Sequence, residues 1–170
     1  GSYGAGVSTY AKGIETQLKE QKNIKSHYIK VSELIKNAAK EYLGIEESIF
    51  SLDKKQALQD AGNQLRKINN EFISWLIFKE ITNTRREIVK RYQENKQRYK
   101  DNLLHVYIID SIKNPNDINP LKDIYNRADF FLLAVLAPKK QRLSRLSTKH
   151  QGTEITEDKL DNLDKIDNGF

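Results

Sequence analysis

The sequence predicts a three-layer α/β/α fold, with a mostly parallel β-sheet between two layers of helices. Two apolar stretches, residues 103–110 and 130–137, are continuous and rich in aromatic and branched side chains, as in buried strands. A shorter strand-like stretch covers residues 27–31. Helical patterns separate these stretches, and such alternation favours right-handed crossovers between parallel strands.

The composition indicates one domain in the cytoplasm. The chain has 170 residues, and no apolar run approaches the roughly 20 residues that cross a bilayer, so we expect neither a signal peptide nor membrane contact. The absence of cysteine excludes disulfides and zinc sites built on thiolates. The formal charge of +6 leaves nucleic-acid contact open as an alternative.

The first nine residues, GSYGAGVST, resemble a phosphate loop. Such loops follow G-x-x-x-x-G-K-[S/T], because glycines at positive φ bring backbone N–H groups onto a phosphate at the start of a helix. Val7 stands where the pattern has lysine, so binding is better supported than phosphoryl transfer. A flexible glycine-rich tip is the alternative. The expected phosphate contacts are Gly1, Gly4, Gly6, Ser8 and Thr9.

A phosphate loop normally lies between a buried strand and a helix. Here the sequence starts at the first glycine of the loop. We therefore expect residues 1–150 to form a phosphate-loop domain that lacks its leading strand. Residues 151–170 are expected to form an acidic tail, in which a helix starts at Thr156 and Glu157 and docks weakly through a thin apolar stripe.

The first half of the chain predicts three helices around the short strand. A helix over residues 8–21 follows the glycines, and a second helix begins with Ser32 as its N-cap and ends at Gly44. The third helix runs from residue 51 to Arg66 and contains Gly62, which indicates either close packing or a break. The side chain of Arg66 then points to solvent or into a phosphate site.

A long helical pattern covers residues 70–98 and has two different halves. The first half is apolar and is expected to be buried. The second half is expected to be a projecting, solvated helix, with nucleic-acid or partner binding by residues 85–100 as the alternative. Its basic residues are Arg85, Arg86, Lys90, Arg91, Lys96, Arg98 and Lys100.

Asp110 ends the clearest predicted strand. In phosphate-loop proteins an acid at this position holds Mg²⁺ or its water shell, so Ser8 and Asp110 are the predicted metal side of the site. The alternative is that Asp110 caps the next turn. A short helix is expected over residues 120–125, and Pro138 ends the strand over residues 130–137. Basic residues expected near the phosphates at this edge of the sheet are Lys113, Lys139, Lys140, Arg142 and Arg145.

Four segments, at residues 28–35 (YIKVSELI), 58–66 (LQDAGNQLR), 107–115 (YIIDSIKNP) and 130–138 (FFLLAVLAP), carry a family resemblance. Together they resemble the amino-terminal P-loop kinase-like domain of bacterial anti-phage deoxycytidylate (dCTP) deaminases. The resemblance implies a P-loop NTPase fold of the nucleoside-phosphate-kinase type, with the long helix as an elaboration. No functional role is carried over to that helix.

In that family a zinc deaminase with H-x-E and P-C-x-x-C motifs follows the kinase-like domain. Neither motif occurs in this chain, so the resemblance implies only the nucleotide-binding, regulatory part, and zinc only in a deaminase part outside the chain. The whole protein would be a hydrolase that depletes deoxycytidine nucleotides in antiviral defence. Its implied partners are a nucleotide and the deaminase domain of the same protein, and self-association into a homo-oligomer is left open.

Three functions therefore compete. The first is a regulatory module that binds a nucleoside triphosphate with Mg²⁺. The second is an active small-molecule kinase resembling dephospho-coenzyme A kinase, in which Lys113 or Arg142 replaces the missing loop lysine. The third is an interaction module that uses the basic helix, for which salt-dependent binding is expected.

Overall fold

The computed structural model describes residues 4–46, 48–52, 54–94, 103–112, 114–125, 129–149 and 156–168. The protein is α/β and mostly helical, with a two-stranded parallel sheet. None of the described helices is long and apolar enough to cross a membrane. The described elements, in chain order, are α1 (Val7–Lys19), β1 (Ile24–Lys30), α2 (Val31–Leu43), α3 (Ile49–Leu52), α4 (Lys54–Ile68), α5 (Phe72–Glu94), β2 (Leu104–Asp110), α6 (Pro115–Ile124), α7 (Lys139–Lys149) and α8 (Glu157–Asn168).

The two strands lie side by side in parallel register. Ile24 is opposite Leu104, and Lys30 is opposite Asp110. The strands predicted over residues 27–31 and 103–110 are both present, but β1 runs from Ile24 to Lys30, so that Val31 already belongs to α2, and β2 begins at Leu104. Because parallel strands need a crossover, α2 to α5 occupy the chain between them.

The main core is formed where α2, α4, α5 and α6 meet the sheet. Leu65, Ile73, Ile77 and Leu121 are completely buried there. The first half of α5 supplies much of this core, whereas its described residues beyond Ile81 are exposed or half-buried. The predicted contrast between the two halves of the long helix is therefore confirmed as far as α5 is described, although Trp75 and Phe78 in the first half are exposed rather than buried. Lys96, Arg98 and Lys100 lie outside the described residues.

The strand predicted over residues 130–137 is wrong. These residues form no strand, and the side chains of Phe131 and Leu136 are 80% and 84% exposed. An apolar run becomes a buried strand only when neighbouring strands take up its backbone hydrogen bonds. In the described part of the chain this segment pairs with neither strand of the sheet, so its backbone groups have no ladder partner.

Two predicted helix boundaries also need correction. Ser32 is not the N-cap of α2, because β1 runs directly into the helix and Lys30 is the capping residue, with no side-chain cap. The predicted helix at residues 120–125 begins earlier, at Pro115. There the Asn114 side chain accepts a hydrogen bond from the Asn116 N–H, and proline suits the first helical position.

Other predictions on the helices are confirmed. Gly44 ends α2 with φ 66°, a conformation that favours glycine. Gly62 lies inside the unbroken helix α4, so a break there is wrong, and an added Cβ would be at ordinary contact distance, 3.6 Å, from Ile35 Cδ1. The tail forms α8 with Thr156 just before it, and the Thr156 hydroxyl accepts a hydrogen bond from the Lys159 N–H.

Candidate phosphate site

A tight glycine turn leads into α1. Gly4 has φ 76° and Gly6 has φ 92°, backbone conformations that other residues rarely adopt. Gly6 is the N-cap of α1, and its carbonyl accepts the first helical hydrogen bond, from the Tyr10 N–H at 2.9 Å. No side chain caps this end. The first backbone N–H groups of α1 are therefore available to an anion at the positive end of the helix dipole.

Helix α7 packs directly against this turn. A Cβ added at Gly4 would lie 3.0 Å from Leu146 Cδ1 and 3.3 Å from Arg142 Cβ, so the approach requires glycine. Arg145 Nη1 donates a hydrogen bond to the Ala5 carbonyl at 2.9 Å. A Cβ added at Gly6 would be 3.5 Å from the same nitrogen. The structure thus brings one arginine to the edge of the glycine turn.

Asp110 lies at the carboxyl end of β2 and is only 1% exposed. The Tyr28 hydroxyl donates to its Oδ2 at 2.5 Å, and the Ser111 hydroxyl donates to its Oδ1 at 2.7 Å. Burial, and then the Asp110 carboxylate, raise the pKa of Tyr28, while a hydrogen bond with Ser8 opposes that shift. One protonated phenol therefore connects Asp110 to the first turn of α1.

The residues present fit a magnesium ion that enters with phosphates. Each Asp110 oxygen accepts one hydrogen bond and keeps a lone pair for a further partner. Mg²⁺ is commonly held by one or two carboxylates together with water and substrate phosphates. The described residues contain no group of three or more His, Asp or Glu side chains that could hold a metal ion by themselves. Asp110 and the Ser8 hydroxyl would be the protein's contribution.

Arg142 is held by the tail helix. Its Nη1 and Nη2 donate to Oδ1 and Oδ2 of Asp164, both at 2.7 Å, so the pair is bidentate. One turn earlier, Lys139 Nζ lies 2.8 Å from Asp161 Oδ1 and 3.2 Å from Glu157 Oε2. The acidic face of α8 thus covers two of the basic residues predicted to face phosphates. The sequence signal for this docking is the spacing of four and three residues between those acids.

The remaining predicted contacts are distributed as follows. Thr9 is exposed in the first turn of α1, and Val7 is half-buried at the start of that helix. Gly1 and Lys113 lie outside the described residues. Arg66 points neither to solvent nor to a phosphate site, because its Nε and Nη2 donate to the two carboxylate oxygens of buried Asp117, at 3.1 Å and 2.6 Å.

A cluster that the sequence did not predict lies on the sheet itself. His27 Nε2 and His105 Nδ1 are 2.9 Å apart, and the ring of His27 also stacks on Tyr107 at 4.8 Å. The guanidinium of Arg85 lies 5.8 Å from the ring centres of both Tyr107 and Tyr125. The exposed Arg85 side chain therefore lies near a ring of β2 and near Tyr125. Pairing of β1 with β2 sets His27 opposite Tyr107. A correct prediction of this parallel register would therefore have predicted the cluster.

The two histidines are poorly suited to carry charge. Burial lowers the pKa of His27, with further lowering by His105 and Lys25. Burial likewise lowers the pKa of His105, followed by the charges of Lys25 and Arg85. Both rings are therefore driven toward the neutral form, in which one N–H can be shared between them.

Comparisons of the chain with protein-family models, with curated proteins and with solved structures find no match in any of the three. The resemblance to deoxycytidylate deaminases therefore stays a prediction from the four sequence segments. The functional interpretation depends on the geometry around the glycine turn: Gly4 and Gly6 at positive φ, the open end of α1, Arg145 beside the turn, and Asp110 linked to Ser8.

Proposed function

We propose that this chain is a nucleotide-binding regulatory domain that holds the phosphates of a nucleoside triphosphate, with Mg²⁺, at the glycine turn. The observation that carries the proposal is the turn itself, with Gly4 and Gly6 at positive φ leading into an uncapped helix beside Arg145. Backbone N–H groups, a helix dipole and a guanidinium together form a setting suited to phosphate. Asp110 would orient the metal through its water shell.

Regulation is favoured over phosphoryl transfer by the charges near the turn. Val7 takes the place of the lysine that normally reaches the β- and γ-phosphates. Arg142, one of the two residues expected to replace this lysine in an active kinase, is engaged by Asp164 in a bidentate pair. With the resemblance to the kinase-like domain of dCTP deaminases, these features support a sensor that modulates a deaminase in anti-phage defence.

Calorimetric titration tests the proposal. MgATP, MgdCTP, dCMP and inorganic triphosphate are each titrated into the wild-type chain, into Gly6→Ala and into Gly44→Ala. Gly44 also has positive φ, 66°, and an added Cβ there meets nothing within 4 Å, so its variant carries the same backbone strain away from the turn. We expect triphosphates to bind the wild-type chain and Gly44→Ala, and Gly6→Ala to lose binding.

The outcomes separate the competing functions. Equal loss in the two glycine variants, or no binding of any triphosphate, would overturn the proposal. A preference for dCTP over ATP supports the deoxycytidylate connection. Steady ADP release in the same samples would favour the small-molecule kinase instead. Salt-dependent binding of nucleic acid that both glycine variants retain would favour the basic half of α5 as an interaction surface.

A further inference from the structure

One face of the sheet changes from apolar to polar along its strands. Alternate residues of a strand point to opposite faces. Tyr28 and Asp110, which connect to Ser8, therefore point away from the face that packs on the main core. On the core-facing side, Ile29 and Ile109 near the carboxyl ends belong to the core. The residues of this side toward the amino ends, here called the polar corner, are Lys25, His27, His105 and Tyr107.

Two histidines of the polar corner are hydrogen-bonded to each other. His27 Nε2 and His105 Nδ1 are 2.9 Å apart, so the pair shares one N–H. The outer nitrogens, His27 Nδ1 and His105 Nε2, have no hydrogen-bond partner among the described residues. When both rings are neutral, one of these nitrogens carries a proton, and after uptake of one further proton both do. The pair therefore offers one or two N–H donors to a ligand.

The charges next to this pair are positive. Lys25 lies opposite His105 in the parallel register. Burial, and then the charges of Lys25 and Arg85, lower the pKa of His105. Neither Lys25 nor Arg85 forms an ion pair with an acid in the described part of the chain. The polar corner thus has two cations beside it that lack a carboxylate partner there.

Arg85 of α5 lies beside two tyrosine rings. Its guanidinium carbon is 5.8 Å from the ring centres of both Tyr107 and Tyr125. The hydroxyl oxygens of these two rings are buried, and the described residues supply neither with a hydrogen-bond partner. Buried hydroxyl groups in proteins normally have such a partner. The two rings therefore bring unused donors close to a guanidinium that is itself without an acid.

The charges decide which class of ligand fits. Two imidazole nitrogens 2.9 Å apart could chelate a metal ion, but Lys25 and Arg85 repel a cation. An anion is attracted by both side chains and accepts hydrogen bonds from the unused donors. A guanidinium matches the oxygens of a phosphate through two parallel hydrogen bonds. A phosphate group is therefore the ligand that this arrangement suits.

We propose that Lys25, Arg85 and the His27–His105 pair form a second anion site, which binds a phosphate group at the polar corner. The guanidinium and the ammonium supply positive charge, and the outer imidazole nitrogens donate N–H groups. Bound phosphate also favours uptake of a proton by the pair, because it offsets the two charges that oppose this proton. The site and the contacts of Ser8 lie on opposite faces of the sheet, so this inference does not depend on nucleotide binding at the glycine turn.

NMR of the histidine rings reports on this site directly, because the chain has three histidines. Inorganic phosphate is titrated at constant pH and ionic strength, with chloride as the anion that it replaces. His27→Gln and His105→Gln assign the signals. Arg85→Gln and Lys25→Gln test the charges. Arg86→Gln is the matched control, since Arg86 is also exposed on α5 and has none of the ring contacts of Arg85.

We expect phosphate to shift the signals of both histidines saturably and to raise the pKa of each ring. Arg85→Gln should weaken phosphate binding by about tenfold, whereas Arg86→Gln should change it by less than about twofold. Lys25→Gln should weaken it by a smaller factor than Arg85→Gln, and circular dichroism checks that both variants are folded. Gly6→Ala should leave these shifts unchanged, which separates this site from the glycine turn.

Two further titrations identify the source of the phosphate. Thymidine 5′-monophosphate and a short oligothymidylate replace inorganic phosphate in the same experiment. Equal affinities would support the site with free phosphate groups as its ligand. Tighter binding of the oligothymidylate that Arg86→Gln weakens would support it with a nucleic-acid backbone as the ligand, because the basic residues of α5 then contact further phosphates.

Three results would overturn the inference. Shifts that chloride produces as well as phosphate would show only screening of charge. Equal phosphate affinities in Arg85→Gln, Lys25→Gln and the wild-type chain would place the anion elsewhere. Shifts produced by Zn²⁺ but not by phosphate would assign the two histidines to a metal ion instead.

Discussion

Arg66 and Arg142 each bind an aspartate through two nitrogens, yet their settings differ. The Arg66 side chain reaches Asp117 across the main core, and the Asp117 side chain is 2% exposed. Arg142 instead joins α7 to the tail helix, where the Asp164 side chain is 19% exposed. The first pair holds together elements that form the core. The second pair engages an arginine beside the candidate phosphate site, so under the proposed function Asp164 would compete with a phosphate for Arg142.

Breaking the core pair should have the largest effect. Arg66→Ala leaves the Asp117 carboxylate, which is 2% exposed, without its guanidinium, and loss of one partner of a buried pair costs about 3–5 kcal/mol of unfolding free energy. Urea denaturation followed by circular dichroism measures this loss. The double variant Arg66→Met, Asp117→Leu should recover most of it, because an apolar pair leaves no buried charge. A loss below about 1 kcal/mol in the single variant would contradict a core role.

Breaking the tail pair should change ligand affinity more than stability. Asp164→Asn removes the charge that holds Arg142, so we expect MgATP to bind roughly three- to tenfold more tightly, as charge-assisted contacts to phosphate become accessible. Asp158→Asn is the matched control, since it removes one exposed charge from the same helix. Calorimetry on both variants gives the comparison. Equal affinities in the two variants would show that Asp164 does not compete with phosphate.

Acidification should have a smaller effect that involves neither arginine, since guanidinium groups do not titrate near neutrality. The folded pKa values of His27 and His105 are lowered, so the unfolded chain binds more protons between those values and about 6.5. The two histidines therefore contribute their full share of the unfolding free energy above that pH window, and this contribution declines as the pH falls through it. Thermal melts between about pH 5 and 7.5 measure the decline, and His105→Gln should flatten it. An unchanged slope in His105→Gln would assign the decline to other groups.

Patterns that depend on neighbours in the sequence predicted much of the fold. The run of β-branched residues in β2 and the glycine at the end of α2 both act locally, and the structure has them where expected. Residues 130–137 are apolar throughout but form no strand. A strand also needs an adjoining strand, and composition alone does not say whether one is present.

The candidate site was predictable to a similar extent. The glycines carry their own backbone preference, so Gly4 and Gly6 were recognisable from sequence. The partners of Arg66 and Arg142 lie 51 and 22 residues away along the chain, and only tertiary packing brings them together. Charge patterns therefore identified the basic residues that follow residues 130–137, but neither their distance from a strand end nor which of them α8 would engage.

The hydrogen bonds around Tyr28 have a direction. A phenol has one proton, and in Tyr28 that proton goes to Asp110, so toward Ser8 the Tyr28 oxygen can act only as an acceptor. Burial raises the pKa of Tyr28, whereas Ser8 opposes that rise, as a hydroxyl that donates to the phenol oxygen does. A Ser8 hydroxyl that donates inward presents its lone pairs outward, and this arrangement suits a cation or a proton donor at the turn better than a bare phosphate oxygen.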